Sequence, residues 1–275
     1  MPEGSSEPVL RFENVSVRFD DETALQDISF AMVRGETRII LGAAGSGKTT
    51  LLKAAVGLVR ADSGRVFVFG RDITDMKEEE LVDIRARIGF LFQEGGLFDS
   101  LTIDENVSYP LVNQRARTRP DPASVEERVR ETLRFVELEK TLNQYPSELS
   151  GGMRRRVGIA RAVVTEPELV LYDSPTAGLD PITANTIIAL IVKERDVRDT
   201  AAMMATHRYQ DGQLMANFRY NPDDGGLVRA SSNGSGGNGL NTVFMVLREG
   251  RVAFEGSQEE LNASTDPYLR NFVKR

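Results

Sequence analysis

Three separated runs hold the side chains whose types and spacing could do chemistry. Gly42, Ala43, Ala44, Gly45, Ser46, Gly47, Lys48, Thr49 and Thr50 fit the pattern G-x-x-x-x-G-K-[ST]. Glycines let the backbone wrap closely around a phosphate chain, so several N–H groups and a helix N-terminus point at it. The lysine of such a loop neutralises β and γ phosphates, and the hydroxyl that follows it holds Mg²⁺. Far downstream the run ELVLYD ends at Asp173, a carboxylate suited to the same Mg²⁺. Between the two lies LSGGM, with Ser150, Gly151 and Gly152. After Asp173 comes Ser174, a hydroxyl where a water-activating carboxylate is expected.

These groups need elements to position them. TRIIL, Thr37 to Leu41, is a short apolar run suited to a buried strand, and TTLLKAAVGL has helical apolar spacing. Strand, glycine loop, helix is the context that turns a pattern match into a site. Leu169 to Tyr172 read as a second buried strand with Asp173 at its C-terminal end. Ligands of open parallel sheets bind outside the carboxyl ends of strands, which puts Asp173 beside the glycine loop. The alternation in VLRFENVSVRF and ALQDISF predicts antiparallel strands up to about Ala31. RVFVFG is a further strand, and a helix is expected near Glu78 to Arg87. From Gln93 to Val164 the pattern is helical, and strands return near Thr200 to Thr206 and Thr242 to Leu247. The expected organisation is a single domain over 1–275: a β subdomain and nucleotide core from 1–92 and 166–275, and a helical subdomain from 93–165. A flexible Gly/Ser-rich insertion is expected over 221–240, from its composition.

Composition narrows the class. A chain of 275 residues with 40% hydrophobic and 27% charged content is ordinary for a globular protein. The net charge of −7 argues against a nucleic-acid-coating surface, and no nucleic-acid partner is expected. With no cysteine there is no disulfide framework and no thiolate metal site. No apolar run approaches the roughly 18 residues needed to span a bilayer, and MPEGSSEP lacks the pattern of a signal peptide. Work at a membrane would go through partners.

LSGGMRRRVGIARA, Leu149 to Ala162, resembles the signature of ABC-type ATPases, and the order of all the motifs matches that family. The resemblance covers nearly the whole chain apart from the glycine-rich insertion. It implies an α/β fold: a P-loop NTPase (RecA-like) core with an antiparallel β subdomain and an inserted α-helical subdomain. It implies ATP and Mg²⁺ as cofactors, with Thr49, Gln93 and Asp173 toward the metal. Phe19 sits where an aromatic that stacks on adenine is expected. Gln93, in GFLFQEGGLF, matches the loop glutamine that senses Mg²⁺ and touches the permease. GLDP, Gly178 to Pro181 and including Asp180, looks like the loop through which two subunits communicate. His207, the single histidine of the chain, matches the switch histidine. Ser150, Gly151 and Gly152 would serve the partner subunit's ATP, so two head-to-tail copies enclose two nucleotides. Alone, LSGG would read as an ordinary N-cap, and the arginines 154 to 156 read as a solvated helix face.

Ser174 departs from the family, which has glutamate there. A serine hydroxyl cannot accept a proton at neutral pH, and a general base contributes about 10²–10⁴-fold. Three explanations stand: a naturally slow ATPase, a site rescued by another carboxylate such as Glu94, or a substitution that traps ATP. The catalytic set expected is His207, Gln93 and the Ser174 position. Within the family, LFQEGGLFDSLTIDENVSYPL and LSGGM most resemble the ATPases of Mce-associated, lipid-asymmetry-type transporters. That implies a homodimer bound to an integral membrane permease, with lipid-binding accessory proteins, at the cytoplasmic face of the inner (plasma) membrane. The alternatives are an importer of amino acids or another small solute, and a non-hydrolytic or very slow ATP-binding dimerisation module.

Overall fold

The computed structural model describes residues 7–113, 121–230 and 241–273. Their strands are β1 (Leu10–Phe19), β2 (Glu22–Met32), β3 (Thr37–Gly42), β4 (Ser63–Val68), β5 (Arg71–Asp72), β6 (Ile88–Leu91), β7 (Leu169–Asp173), β8 (Ala201–Thr206), β9 (Phe218–Asn221), β10 (Gly226–Arg229), β11 (Thr242–Arg248) and β12 (Arg251–Gly256). The helices are α1 (Lys48–Ala55), α2 (Glu78–Arg85), α3 (Ile103–Val112), α4 (Pro122–Phe135), α5 (Gly151–Val163), α6 (Pro181–Arg198), α7 (Tyr209–Asn217), α8 (Gln258–Ala263) and α9 (Pro267–Val273).

The continuous apolar runs become the middle of a six-stranded sheet, ordered β12-β11-β3-β8-β7-β6. Every residue of β3, β7 and β8 is buried, as expected for parallel strands covered on both faces. Side chains alternate across that sheet. Ile39, Leu41, Val170, Tyr172 and Met204 join the core shared with the helical block. Ile40, Leu169, Leu171, Met203 and Ala205 join a second core under the antiparallel sheet and α1. That antiparallel sheet has the order β2-β1-β4-β5, and its strands β1 and β2 show the alternating burial their sequences predict.

Local signals set the helix starts. Thr102 and Glu105 form a reciprocal capping box before α3. Ser150 caps α5, and Asp180 caps α6 with Pro181 in its first turn. Where α5 crosses β6 the backbones nearly touch: a Cβ on Gly89 would lie 2.2 Å from the Ala162 carbonyl oxygen. That close approach seats the helical block on the sheet just before Gln93.

The observed elements differ from expectation in three places. α1 stops at Ala55 because Gly57 follows in a left-handed conformation (φ 67°). Between Gln93 and Thr102 the chain makes a single 3-10 turn, Gln93–Gly95, rather than a helix. The expected loop over 221–240 begins inside a β-hairpin, in which Phe218–Asn221 pairs with Gly226–Arg229. Here Tyr220 N–H donates to Asp196 on α6 at 2.7 Å, and Lys193 lies over the Tyr220 ring. Aspartate and glycine at 223–225 build only the turn of that hairpin, and residues 231–240 lie outside the described residues.

Gly89→Ala is expected to force β6 and α5 apart and to destabilise the protein by about 1–3 kcal/mol, the usual range for overpacking. Urea unfolding followed by circular dichroism checks this through a lower midpoint. An unchanged midpoint would mean that the joint yields freely.

Candidate functional site

The parallel strands β3, β8, β7 and β6 lie side by side, and their registers put Leu41 opposite Thr206, Ala205 opposite Asp173 and Tyr172 opposite Leu91. Their carboxyl ends therefore form one edge. Onto that edge open the Gly42–Thr50 loop, His207, the Asp173–Ser174 pair and Gln93.

Two glycines of the loop have no tolerable substitute. A Cβ on Gly42 would sit 2.3 Å from Ser46 Oγ and 2.8 Å from the Leu247 carbonyl. Gly47 has φ 99°, and its Cβ would meet the Ala24 carbonyl of β2 at 2.4 Å. Gly47 also caps α1 without any side-chain acceptor, so the first N–H groups of that helix face the loop's concavity. Lys48 Nζ donates to the carbonyls of Gly42 (2.8 Å) and Ala43 (2.7 Å) and to Ser46 Oγ (3.3 Å). Burial lowers the pKa of this ammonium, and the Asp173 carboxylate opposes that shift.

Asp173 is buried, and its Oδ1 accepts from both Thr49 Oγ1 and Ser174 Oγ, each at 3.2 Å. A hydroxyl and a carboxylate oxygen thus meet beside the phosphate loop, a hard-oxygen pair that fits Mg²⁺. Among the described residues no group of three or more His, Cys, Asp or Glu could hold a metal. Mg²⁺ takes one or two protein ligands and completes its shell with phosphate and water. Ser174 is held in a left-handed conformation (φ 49°), and its N–H donates to Ala205 O at 2.9 Å.

Gln93 is exposed in its 3-10 turn, and Glu94 there has φ 62°. The turn is fastened to α5 by Arg161, whose Nη2 donates to the carbonyls of Gly95 (3.0 Å) and Gly96 (2.8 Å). Burial lowers the pKa of this guanidinium. Arg155, also on α5, donates to the Ala177 carbonyl at 3.0 Å. Its pKa is lowered chiefly by burial, with Glu94 the largest opposing charge. Phe19 ends β1 with its ring 51% exposed. The β1–β2 hairpin that carries it presses on Gly47 through Ala24 and Leu25.

Ser150, Gly151 and Gly152 open α5, and Gly151 lines a cavity of about 510 Å³ together with Gln93, Glu94 and Arg155. Ser150 Oγ accepts from Met153 N–H at 3.2 Å, and a Cβ on Gly152 would lie 2.6 Å from Thr183 of α6. Asp180 Oδ1 accepts from the N–H groups of Ile182 and Thr183, both at 3.0 Å. A hydrogen bond from the Thr183 side chain foremost, then those from the Thr183 and Ile182 N–H groups, lower its pKa. The signature turn therefore packs beside the GLDP loop, and no hydrogen bond among the described residues joins it to the Gly42–Thr50 loop. Sequence reasoning passed over Arg155, Arg161, Thr176 and Asp211. Arginine at helical spacing reads as solvated, and a lone threonine or aspartate carries no periodic signal.

The family model described as "ABC transporter" matches residues 25–177. A methionine import ATP-binding protein of Bifidobacterium longum is 38% identical over 77% of this chain and 53% of its own length. A probable ribonucleotide transport ATP-binding protein of Mycobacterium leprae is 30% identical over 96% of this chain and 68% of its own length. The chain thus spans about half the length of the methionine-import relative. An ATP-binding cassette solved as a dimer in a post-hydrolysis state with ADP and Pi superposes with a TM-score of 0.75. It is 28% identical and covers 90% of this chain and 98% of its own.

Lys48→Ala should remove charge compensation from the phosphates and raise the Mg-ATP Kd about tenfold to 100-fold, the scale of a lost charge-assisted hydrogen bond. Asp173→Asn should abolish the Mg²⁺ dependence of binding. Isothermal titration with and without Mg²⁺ checks both, and an unchanged Kd in Lys48→Ala would refute the site.

Proposed function

Because the chain belongs to the ABC transporter family of ATP-binding cassettes, we propose that two copies pair head to tail around two Mg-ATP and energise a membrane permease. The observation that carries this reading is the separation of its two halves. Lys48, Thr49, Asp173 and His207 share one sheet edge, while Ser150 to Gly152 open α5 elsewhere. The donors of the signature turn need a phosphate that their own loop does not supply, and a second copy supplies it. Of the described helices, none is long and apolar enough to cross a membrane. A groove of about 480 Å³, lined by Phe90, Phe92, Phe98, Tyr109 and Pro110, opens beside the Gln93 turn. Its apolar, aromatic walls suit an amphipathic helix of that permease.

In this reading Thr49 and Asp173 would hold Mg²⁺, with Gln93 toward it, and the ion would supply neutralisation of phosphate charge. Phe19 stacks on the adenine. Gly42 to Thr50 cradle the phosphates through backbone N–H groups, and Lys48 supplies the cation. His207 orients water toward the γ-phosphate. Ser174 supplies no base, so positioning and charge neutralisation carry hydrolysis, and turnover is slow. For the cargo, the names of the relatives support an amino acid or another small polar solute over phospholipid. Nothing in those names supports lipid-binding accessory proteins.

Ser150→Arg should place bulk and charge where the partner's ATP docks. Light scattering with Mg-ATP is expected to show dimers for the parent and monomers for the variant; equal dimerisation would end the shared-site reading. Ser174→Glu should raise turnover by about 10²-fold or more on the general-base scale. If hydrolysis is already fast and this variant adds nothing, another group activates the water, and Glu94→Gln is then the variant expected to lose activity.

A further inference from the structure

Asp211, in the first turn of α7, is only 1% exposed. Its Oδ2 accepts two hydroxyls, Thr176 Oγ1 at 2.6 Å and Thr206 Oγ1 at 2.8 Å. Its Oδ1 makes no hydrogen bond and has Arg208 Nε at 3.6 Å. Burying a carboxylate is costly unless donors satisfy it, and here the donors come from both sides of a boundary. Thr206 is the last residue of β8, immediately before His207. Thr176 belongs to the turn that starts at Ser174, closed by Ala177 N–H donating to Ser174 O at 3.1 Å. Thr206 Oγ1 also accepts from Arg208 N–H at 3.1 Å, so His207 is bracketed by a bonded residue on each side. A second link, Ser174 N–H to Ala205 O, joins the same two loops.

We propose that Asp211 is a positioning residue: through Thr206 and Thr176 it braces the His207-bearing end of β8 against the loop that carries Ser174. The inference rests on the ATPase reading for its consequence, and on geometry for the brace itself. A site without a carboxylate base depends on where its remaining water-orienting group stands. Misplacing such a group by about 1 Å can cost about 100-fold in rate. Two hydroxyl bonds to one buried carboxylate hold two strand-end loops at a fixed separation. A hydrophobic residue at 211 could fill the space, but it would leave both threonine hydroxyls without the acceptor for their protons.

Thr176→Val is the clean test, because it keeps shape and removes only the bond from the Ser174 loop to Asp211. Asp211→Asn is its companion, since the amide keeps one acceptor and loses the charge facing Arg208. The chain has one histidine, so the imidazole C2–H resonance in the proton NMR spectrum reports His207 without ambiguity. With Mg-ATP bound, that resonance should shift and broaden in both variants. Thr176→Val should lower kcat by about tenfold to 100-fold while the Mg-ATP Kd stays at the parental value. In a His207→Ala background it should have no further effect on kcat. An unmoved His207 resonance in Thr176→Val would overturn the brace. So would a loss of kcat that persists in full when His207 is absent. If the parent shows no turnover, the ATPase reading fails on its own, and the resonance still decides whether Asp211 holds His207.

Discussion

The shared carboxyl edge of β3, β8, β7 and β6 is the constraint on which the rest of the molecule depends. Parallel ladders fix the strands against one another residue by residue, so the groups at or just past the ends of β6, β7 and β8 must converge on the loop that begins at Gly42. Nothing in the loops themselves would bring Lys48, Asp173, His207 and Gln93 together. Because the strands are buried on both faces, a one-residue slip would turn every core side chain to the wrong layer. The stability of the core and the alignment of the site are therefore the same physical fact.

Helix α5 extends that alignment to surfaces the sheet does not reach. Its N-terminus is the signature turn, Arg155 holds the Ala177 carbonyl, and Arg161 holds the carbonyls of the Gln93 turn. A Cβ on Gly158 would come within 3.1 Å of Gly95 atoms, so helix and turn are in direct backbone contact. Desolvating an arginine is expensive, and carbonyls offset it only while those loops stay in place. The Gln93 turn, the loop after Ser174 and the signature turn are thus fastened to one element.

Ser174 changes the chemistry without changing this frame. Its backbone accepts the left-handed conformation and keeps the bond to Ala205, and its hydroxyl turns back onto Asp173. The carboxylate of Asp173 is thereby hydrogen-bonded by residues on both sides of it, Thr49 and Ser174. Glu94, considered from the sequence as a substitute base, sits on an exposed turn with its charge opposed to that of Arg155. On the proposed reading, what remains for catalysis is charge, hydrogen-bond donors and the placement of one imidazole.

The sequence alone determined the α/β class, the phosphate loop, the strand bearing Asp173 and the family. Buried parallel strands read as unbroken apolar runs, and glycine spacing in a phosphate loop is a backbone requirement that survives any context. It also showed that residue 174 is not a carboxylate. Tertiary structure decided what long-range contacts control. The Asp211 brace joins residues 35 positions apart, and Arg161 reaches a turn 66 residues away; neither leaves a periodic trace. The hairpin at 218–229 was hidden for a similar reason, since its order comes from Asp196 and Lys193 on α6 rather than from its own glycine-rich composition. Substrate class was the least legible of all, because on the proposed reading cargo meets a permease and leaves no physical mark on the residues that hold nucleotide.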